Sequence, residues 1–327
     1  MPRTALRIAT TLLPALLLVM AGSPPGALAA SPAPAASPSP DAAAPGASVQ
    51  MELTVTAGDR SFPAVVWLPA QATDGTAPTA PAPGPWPVVV FGHGYLSPVE
   101  AYRTLLSGLA ADGFVVIAPR SGGELFPSHG AFAADLSGVV DWVTVEASRA
   151  GSPLQGIADP TRVAVSGHSM GGGAAVLAAA ADPRFRTVAT LAAAETRPSA
   201  VAAAATLTTP VLFIGGDADT IAPVATNQQP MFAAVADADA QLRVIAGGSH
   251  CGFTDLASGG NGLLGRLSGL VCDEGSIPVA TQLAVTGTLL RDWLRLQLDG
   301  ATDLAATVWP ADGVMLDDGT TATSHHP

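Results

Sequence analysis

The sequence predicts an α/β domain: a mostly parallel central sheet with helices on both faces. Short β-rich runs alternate with helical patterns along the chain, and glycine and proline bound the runs. The segment Pro87–Phe91 is apolar throughout, as a parallel strand covered on both sides must be.

Val49 to Thr56 and Phe62 to Leu68 read as an opening antiparallel pair, and Pro87–Phe91 as the first buried strand. A helix is predicted from near Pro98, because Tyr102, Leu105, Leu106 and Leu109 recur at helical spacing until Gly113 ends the pattern. Phe114–Ala118 is the next strand. Residues 132 to 146 give an amphipathic helix with Leu136, Val139, Val140 and Val143 on one side. Arg162–Ser166 is a central strand, and further strands are expected at Thr187–Leu191, Val211–Gly215 and Leu242–Ala246. The domain is expected to close with a helix rather than a strand, since Leu289, Leu290, Trp293 and Leu294 follow helical spacing.

Residues 1 to 30 have the layout of a secretory signal peptide: Arg3 and Arg7, an apolar run from Ile8 to Met20, and the small-x-small pattern Ala27-Leu-Ala29. The apolar run is shorter than the roughly 20 residues that span a bilayer, so a membrane anchor is not expected. Residues 31 to 47 are a Pro/Ala/Ser leader with nothing large to bury, 48 to 310 form one domain, and 311 to 327 are a polar tail. Losing Arg3 and Arg7 with the signal peptide would take the net charge from −12 to −14, which argues against nucleic acid as a partner. A secreted monomer is expected. Every basic residue other than histidine is an arginine, so Schiff-base and Ser-Lys mechanisms are excluded. Cys251 and Cys272, in a chain bound for an oxidising compartment, are expected to pair, which would stabilise the fold by about 3 kcal/mol and tether the segment carrying His250. A reactive thiol is the alternative.

Gly167-His-Ser169-Met-Gly171 fits G-x-S-x-G, with an apolar strand before it and an alanine-rich helix after it. Strand, sharp turn and helix lift a serine hydroxyl above a sheet, the nucleophile elbow of the α/β-hydrolase fold. A serine needs a base and a carboxylate to orient that base, in the chain order serine, acid, histidine. After Ser169 the only histidines are His250, His325 and His326, and the last two fall in the polar tail, so His250 is the base by elimination. The acid should follow the strand ending at Gly215. Asp219 is preferred over Asp217, which suits a turn or cap, and Glu195 after the preceding strand is a third option. The amides of Met170 and Tyr95 are the expected oxyanion donors. His93 and His168 flank the site as packing or hydrogen-bonding residues, and His129 either lines a pocket or sits on a surface loop. Nothing has metal-ligand spacing and no phosphate-cradling loop is present, so no cofactor or metal is expected.

Gly-His-Ser169-Met-Gly-Gly, Asp219-Thr-Ile-Ala-Pro-Val, Gly-Gly-Ser-His250 and the His-Gly-Tyr95 loop together resemble the bacterial cutinase-like polyester hydrolases. The same order of elements, with Gly113-Phe-Val-Val-Ile-Ala-Pro119, also resembles chlorophyllases, dienelactone hydrolases and platelet-activating-factor acetylhydrolases. The resemblance covers about residues 86 to 255 and implies Ser169 as nucleophile, Asp219 as acid, His250 as base, Tyr95 and Met170 as oxyanion donors, and the Tyr95 ring in the substrate cleft. It implies a secreted serine esterase acting on a small ester, a lipid or a polyester. The same machinery would serve an amidase or peptidase, and an exported binding module is the non-catalytic alternative. Two departures stand out. The tryptophan that the cutinase-like enzymes carry after the sixth strand is replaced by Glu195-Thr-Arg-Pro198, and Cys251 directly follows the histidine with its partner downstream.

Overall fold

The computed structural model describes residues 46–71, 80–258 and 272–327. The expected signal peptide and all but the last two residues of the expected leader lie outside the described residues.

The chain opens with the antiparallel pair β1 (Gly46–Ala57) and β2 (Arg60–Gln71). The buried strands follow: β3 (Trp86–Gly92), β4 (Val115–Pro119), β5 (Ala158–His168), β6 (Phe185–Leu191), β7 (Val211–Gly216) and β8 (Ala240–Ile245). These six are mutually parallel, and with β1, β2 and the last strand they form one sheet in the order β1-β2-β4-β3-β5-β6-β7-β8-β9. The fold is that of an α/β hydrolase.

Side chains alternate across this sheet, as strand geometry requires. Val88 and Val90 of β3 join a core shared with α2 (His129–Glu146), α3 (Met170–Ala181), α4 (Ala200–Ala204) and α5 (Gln228–Ala234). Val89 and Phe91 join a second core on the opposite face, under α1 (Arg103–Ala111) and α6 (Val279–Leu294). Each such residue, fully buried, contributes about 1.5–3 kcal/mol relative to exposure, so the two cores clamp β3 and β5 from both sides.

Two helix starts differ from the periodicity. The turn after Pro98 is a 3-10 turn, Val99–Tyr102, before α1 begins. Helix α2 starts at His129 rather than near 132, because Ser128 caps it by accepting from the Ala131 amide at 3.3 Å.

The larger correction is at the C-terminal end. Residues 311 to 327 were expected to be a polar tail after a closing helix, yet Thr320–His325 forms β9, antiparallel to β8 at the sheet edge. Its three threonines and one serine hid it from a hydrophobic pattern. Thr320 and Ala322 are nevertheless fully buried. Thr320 is held by Arg243 of β8, itself buried, which donates to Thr320 Oγ1 at 3.0 Å and to Asp318 Oδ2 at 2.6 Å. A buried arginine must be paired, so this edge is built from polar groups that satisfy each other.

Candidate active site

Six parallel strands point their carboxyl ends toward one rim, where α/β sheets form their sites. Tyr95 follows β3, Ser169 follows β5, Asp219 follows β7 and His250 follows β8. Residues far apart in the chain therefore converge because each trails a strand of the same polarity.

The turn at Ser169 is strained. Its φ is 55° and ψ −121°, a region that non-glycine residues occupy only when the surroundings enforce it. The enforcement is visible: the Ser169 amide donates to the Leu191 carbonyl at 2.9 Å, and its carbonyl accepts from Gly173 at 3.1 Å and Ala194 at 3.0 Å. Glycine is required around it for close approach. A Cβ on Gly167 would overlap the carbonyl of Gly171, and one on Gly171 would overlap the carbonyl of Gly92. Strands β3 and β5 and the start of α3 thus meet backbone to backbone.

The His250 ring bridges to both sides. Its Nδ1 lies 2.8 Å from Asp219 Oδ2 and its Nε2 lies 2.9 Å from Ser169 Oγ. A carboxylate only accepts, so Nδ1 carries the proton and neutral Nε2 accepts from the serine hydroxyl. Asp219 is buried, and its other oxygen accepts from the amides of Ile221 at 2.9 Å and Ala222 at 2.7 Å. The other two carboxylates considered lie elsewhere: Asp217 Oδ1 accepts from the Gly247 amide at 2.6 Å, a turn contact, and Glu195 Oε2 accepts from the Val201 amide at 3.0 Å at the start of α4.

Met170 opens α3, so its amide lies in the first turn, where helical N–H groups lack partners within the helix. Tyr95 sits beside Gly94, and a Cβ on Gly94 would lie 3.5 Å from Ser169 Cβ. The Tyr95 ring is half exposed and its hydroxyl donates to the Leu125 carbonyl at 2.8 Å. The loop carrying Leu125 is moored at its far end too, where His129 Nδ1 accepts from the Arg197 amide at 3.0 Å. His93 lies inside, with ring nitrogens 2.9 Å from the carbonyls of Gly94 and Ser121, joining the loops after β3 and β4.

Residues outside the Ser169–His250–Asp219 chain complete the surroundings. The Gly94 amide donates to Tyr102 Oη at 2.9 Å, and that hydroxyl lies 2.9 Å from His168 Nδ1. His168 Nε2 lies 3.1 Å from the His250 carbonyl. Burial, then the neighbouring His250, hold the His168 pKa well below its usual value, so the ring is neutral. It donates from Nε2 and accepts the Tyr102 proton at Nδ1. Burial pushes the Tyr102 hydroxyl up to about 12, so it keeps that proton. Tyr102 was legible only as an apolar position of the helix predicted from near Pro98, and nothing in the sequence marks its hydroxyl. Gln282 of α6, fully buried, accepts from the Ser249 amide at 3.0 Å and donates to the Ser249 carbonyl at 2.8 Å. Cys251 and Cys272 are bridged.

Residues 68–267 match the model of a family described as PET hydrolase-like. Cutinase est1 of Thermobifida alba is 31% identical over 144 residues, 44% of this chain and 46% of that protein. Bis(hydroxyethyl) terephthalate hydrolase of Streptomyces coelicolor is 31% identical over 166 residues, 47% of each chain. A Thermobifida fusca cutinase is 31% identical over 144 residues, 44% of this chain and 45% of its own. The chain thus spans about half the length of the curated relatives it matches. The family match covers more than half of the chain and takes in Ser169, Asp219 and His250, so the chain belongs to the PET hydrolase-like family.

Proposed function

We propose that this chain is a secreted, monomeric serine hydrolase that cleaves carboxylic esters, with Ser169 as nucleophile, His250 as base, Asp219 as the orienting acid, and the amides of Tyr95 and Met170 as oxyanion donors. The observation that carries the reading is the unbroken chain from Asp219 Oδ2 through the His250 ring to Ser169 Oγ, 2.8 and 2.9 Å, at a strained strand-to-helix turn. The cutinase and terephthalate-ester hydrolase names of the relatives support an ester substrate. Export rests on the signal-peptide pattern of residues 1 to 30; no helix among the described residues is long and apolar enough to cross a membrane.

Ser169 Oγ attacks the ester carbonyl while His250 Nε2 takes its proton. The tetrahedral oxyanion forms against the two amides, each worth roughly 100-fold or more in rate. Collapse expels the alcohol with the proton returned from Nε2. Water, activated by the same nitrogen, then releases the acid and regenerates the hydroxyl. Asp219 keeps Nδ1 protonated throughout and stabilises the imidazolium.

The rim favours apolar esters. Tyr95 and Ile221 are each about half exposed and Phe126 is 88% exposed, all on loops at the carboxyl ends of the strands. The segment after β6 carries Glu195 and Arg197 and no tryptophan, and the exposed aromatic side chains near this rim are Tyr95 and Phe126, whose loops are joined through the Tyr95–Leu125 hydrogen bond. His129 serves to moor that loop rather than to take part in the chemistry.

The test is stoichiometric labelling by a fluorophosphonate, followed by turnover of matched ester and amide substrates and of a polyester film. Labelling that vanishes in Ser169→Ala, with esters cleaved and amides spared, is expected. A folded protein that takes no label favours the binding module, and equal turnover of amides favours the peptidase.

A further inference from the structure

We infer that Asp273 is a positioning residue, whose carboxylate locks the loop carrying Asp219 to the loop carrying His250 and is itself held in place by the Cys251–Cys272 disulfide. The inference rests on the esterase reading of the site, and Asp273 lies beyond the segment that the family model matches.

Asp273 Oδ2 accepts from two amides on different loops, Thr220 at 3.0 Å and His250 at 3.0 Å, and Oδ1 accepts from Cys251 at 3.2 Å. Thr220 directly follows the acid and His250 is the base. One carboxylate therefore spans the two loops whose separation sets the Nδ1–Oδ2 distance of 2.8 Å. Charge-assisted bonds from backbone N–H groups to a carboxylate are among the stronger hydrogen bonds available to a loop.

The disulfide supplies the anchor. Cys272 precedes Asp273 and is bonded to Cys251, the residue after the base. The carboxylate is thus tied covalently to one loop and reaches the other by hydrogen bonds. The segment is seated further by the Ser276 amide, which donates to the Gly247 carbonyl at 2.9 Å. Around the base, nearly every backbone group then has a side chain assigned to it: Gln282 on the Ser249 amide and carbonyl, Asp273 on the His250 and Cys251 amides, and His168 on the His250 carbonyl. Asp273 is the member of that set that also grips the acid loop.

Reduction of the disulfide should therefore act on the site. A dithiol that converts Cys251–Cys272 to two thiols, becoming a cyclic disulfide itself, frees the segment that presents the carboxylate. Reduction and loss of the carboxylate then break the same lock, so their effects should not multiply.

The experiment uses the full mature chain and a soluble chromogenic ester, with wild type, Asp273→Ala, Asp273→Asn and Cys251→Ser/Cys272→Ser, each checked for folding by circular dichroism. Asp273→Ala should lower kcat roughly 10- to 100-fold, the scale of an ångström-level misplacement, with KM within about twofold. Asp273→Asn keeps one acceptor oxygen and should recover part of the loss. Treating wild type with the dithiol should bring kcat down toward that of Asp273→Ala, and treating Asp273→Ala should change little. The His250 Nδ1–H proton resonance, read without substrate, should shift or broaden in Asp273→Ala. Unchanged kcat and resonance in a folded Asp273→Ala, or multiplying effects of reduction and substitution, would overturn the assignment. Failure of wild type to take a fluorophosphonate label would instead sink the esterase reading, and the resonance would still decide whether Asp273 positions His250.

Discussion

The Ser169 turn and the His250 loop hold their side chains by different means. Around Ser169 the backbone itself supplies the constraint: three glycines let β3, β5 and α3 meet backbone to backbone, and main-chain hydrogen bonds to Leu191, Gly173 and Ala194 hold the strained φ of 55°. Around His250 the constraint is polar and remote. Gln282, Asp273 and His168 come from three different parts of the chain and take up the backbone groups of residues 249 to 251. A turn built on close approach tolerates almost no substitution. A loop built on separate hydrogen bonds should lose its geometry by degrees.

The steric side breaks most sharply. Gly171→Ala puts a methyl group into the carbonyls of Gly92 and His93, and since both are backbone, at the end of β3 and just after it, it should cost about 3 kcal/mol, the upper end of overpacking. Chemical denaturation with esterase assays should find a large loss of stability together with loss of all turnover.

The polar side should give a smaller and separable effect. Gln282→Ala leaves the Ser249 amide and carbonyl without their partner in a buried setting, worth about 1–3 kcal/mol. Turnover should fall while the protein stays folded near room temperature, and a fall in kcat larger than any change in KM would mark displacement of His250 rather than loss of the cleft.

A pH series sharpens the comparison further. His168 is buried with its ring 4.6 Å from that of His250 and its Nδ1 on the Tyr102 hydroxyl, and its pKa in the fold is well below the ordinary value. Below about pH 6.5 the unfolded chain binds a proton there that the folded chain does not, so this group makes stability fall as pH falls, by at most about 1.4 kcal/mol per unit. The contribution is constant above that pH. His168→Asn should flatten the acid limb of the stability curve between pH 6.5 and 5.5, and an unchanged limb would show that His168 does not titrate on unfolding in that window.

The contrast also explains what was legible in the sequence. The strand, the glycines and the serine are contiguous in the chain, so the turn could be read from a pentapeptide and its flanks. His250 could be reached by order along the chain, while order alone left Asp217, Asp219 and Glu195 open. In the structure Asp219 faces the imidazole while Asp217 faces the Gly247 amide. Asp273 and Gln282 carry no local signature, because each acts on a loop remote from it in sequence, and the role of the Tyr102 hydroxyl depends on His168, 66 residues away. Strand β9 escaped for a related reason: it pairs with β8 and its Thr320 with Arg243, partners that no alternation within residues 320 to 325 could reveal.

The central claim is that Ser169 and His250 act as one unit. It is tested most directly by measuring ester turnover in Ser169→Ala, His250→Ala and the double variant, all verified as folded. A shared mechanism predicts that each single change removes on the order of 10⁶-fold in kcat and that the double variant is no worse than either alone. Losses that multiply in the double variant, or a single variant that keeps most of its turnover, would contradict it.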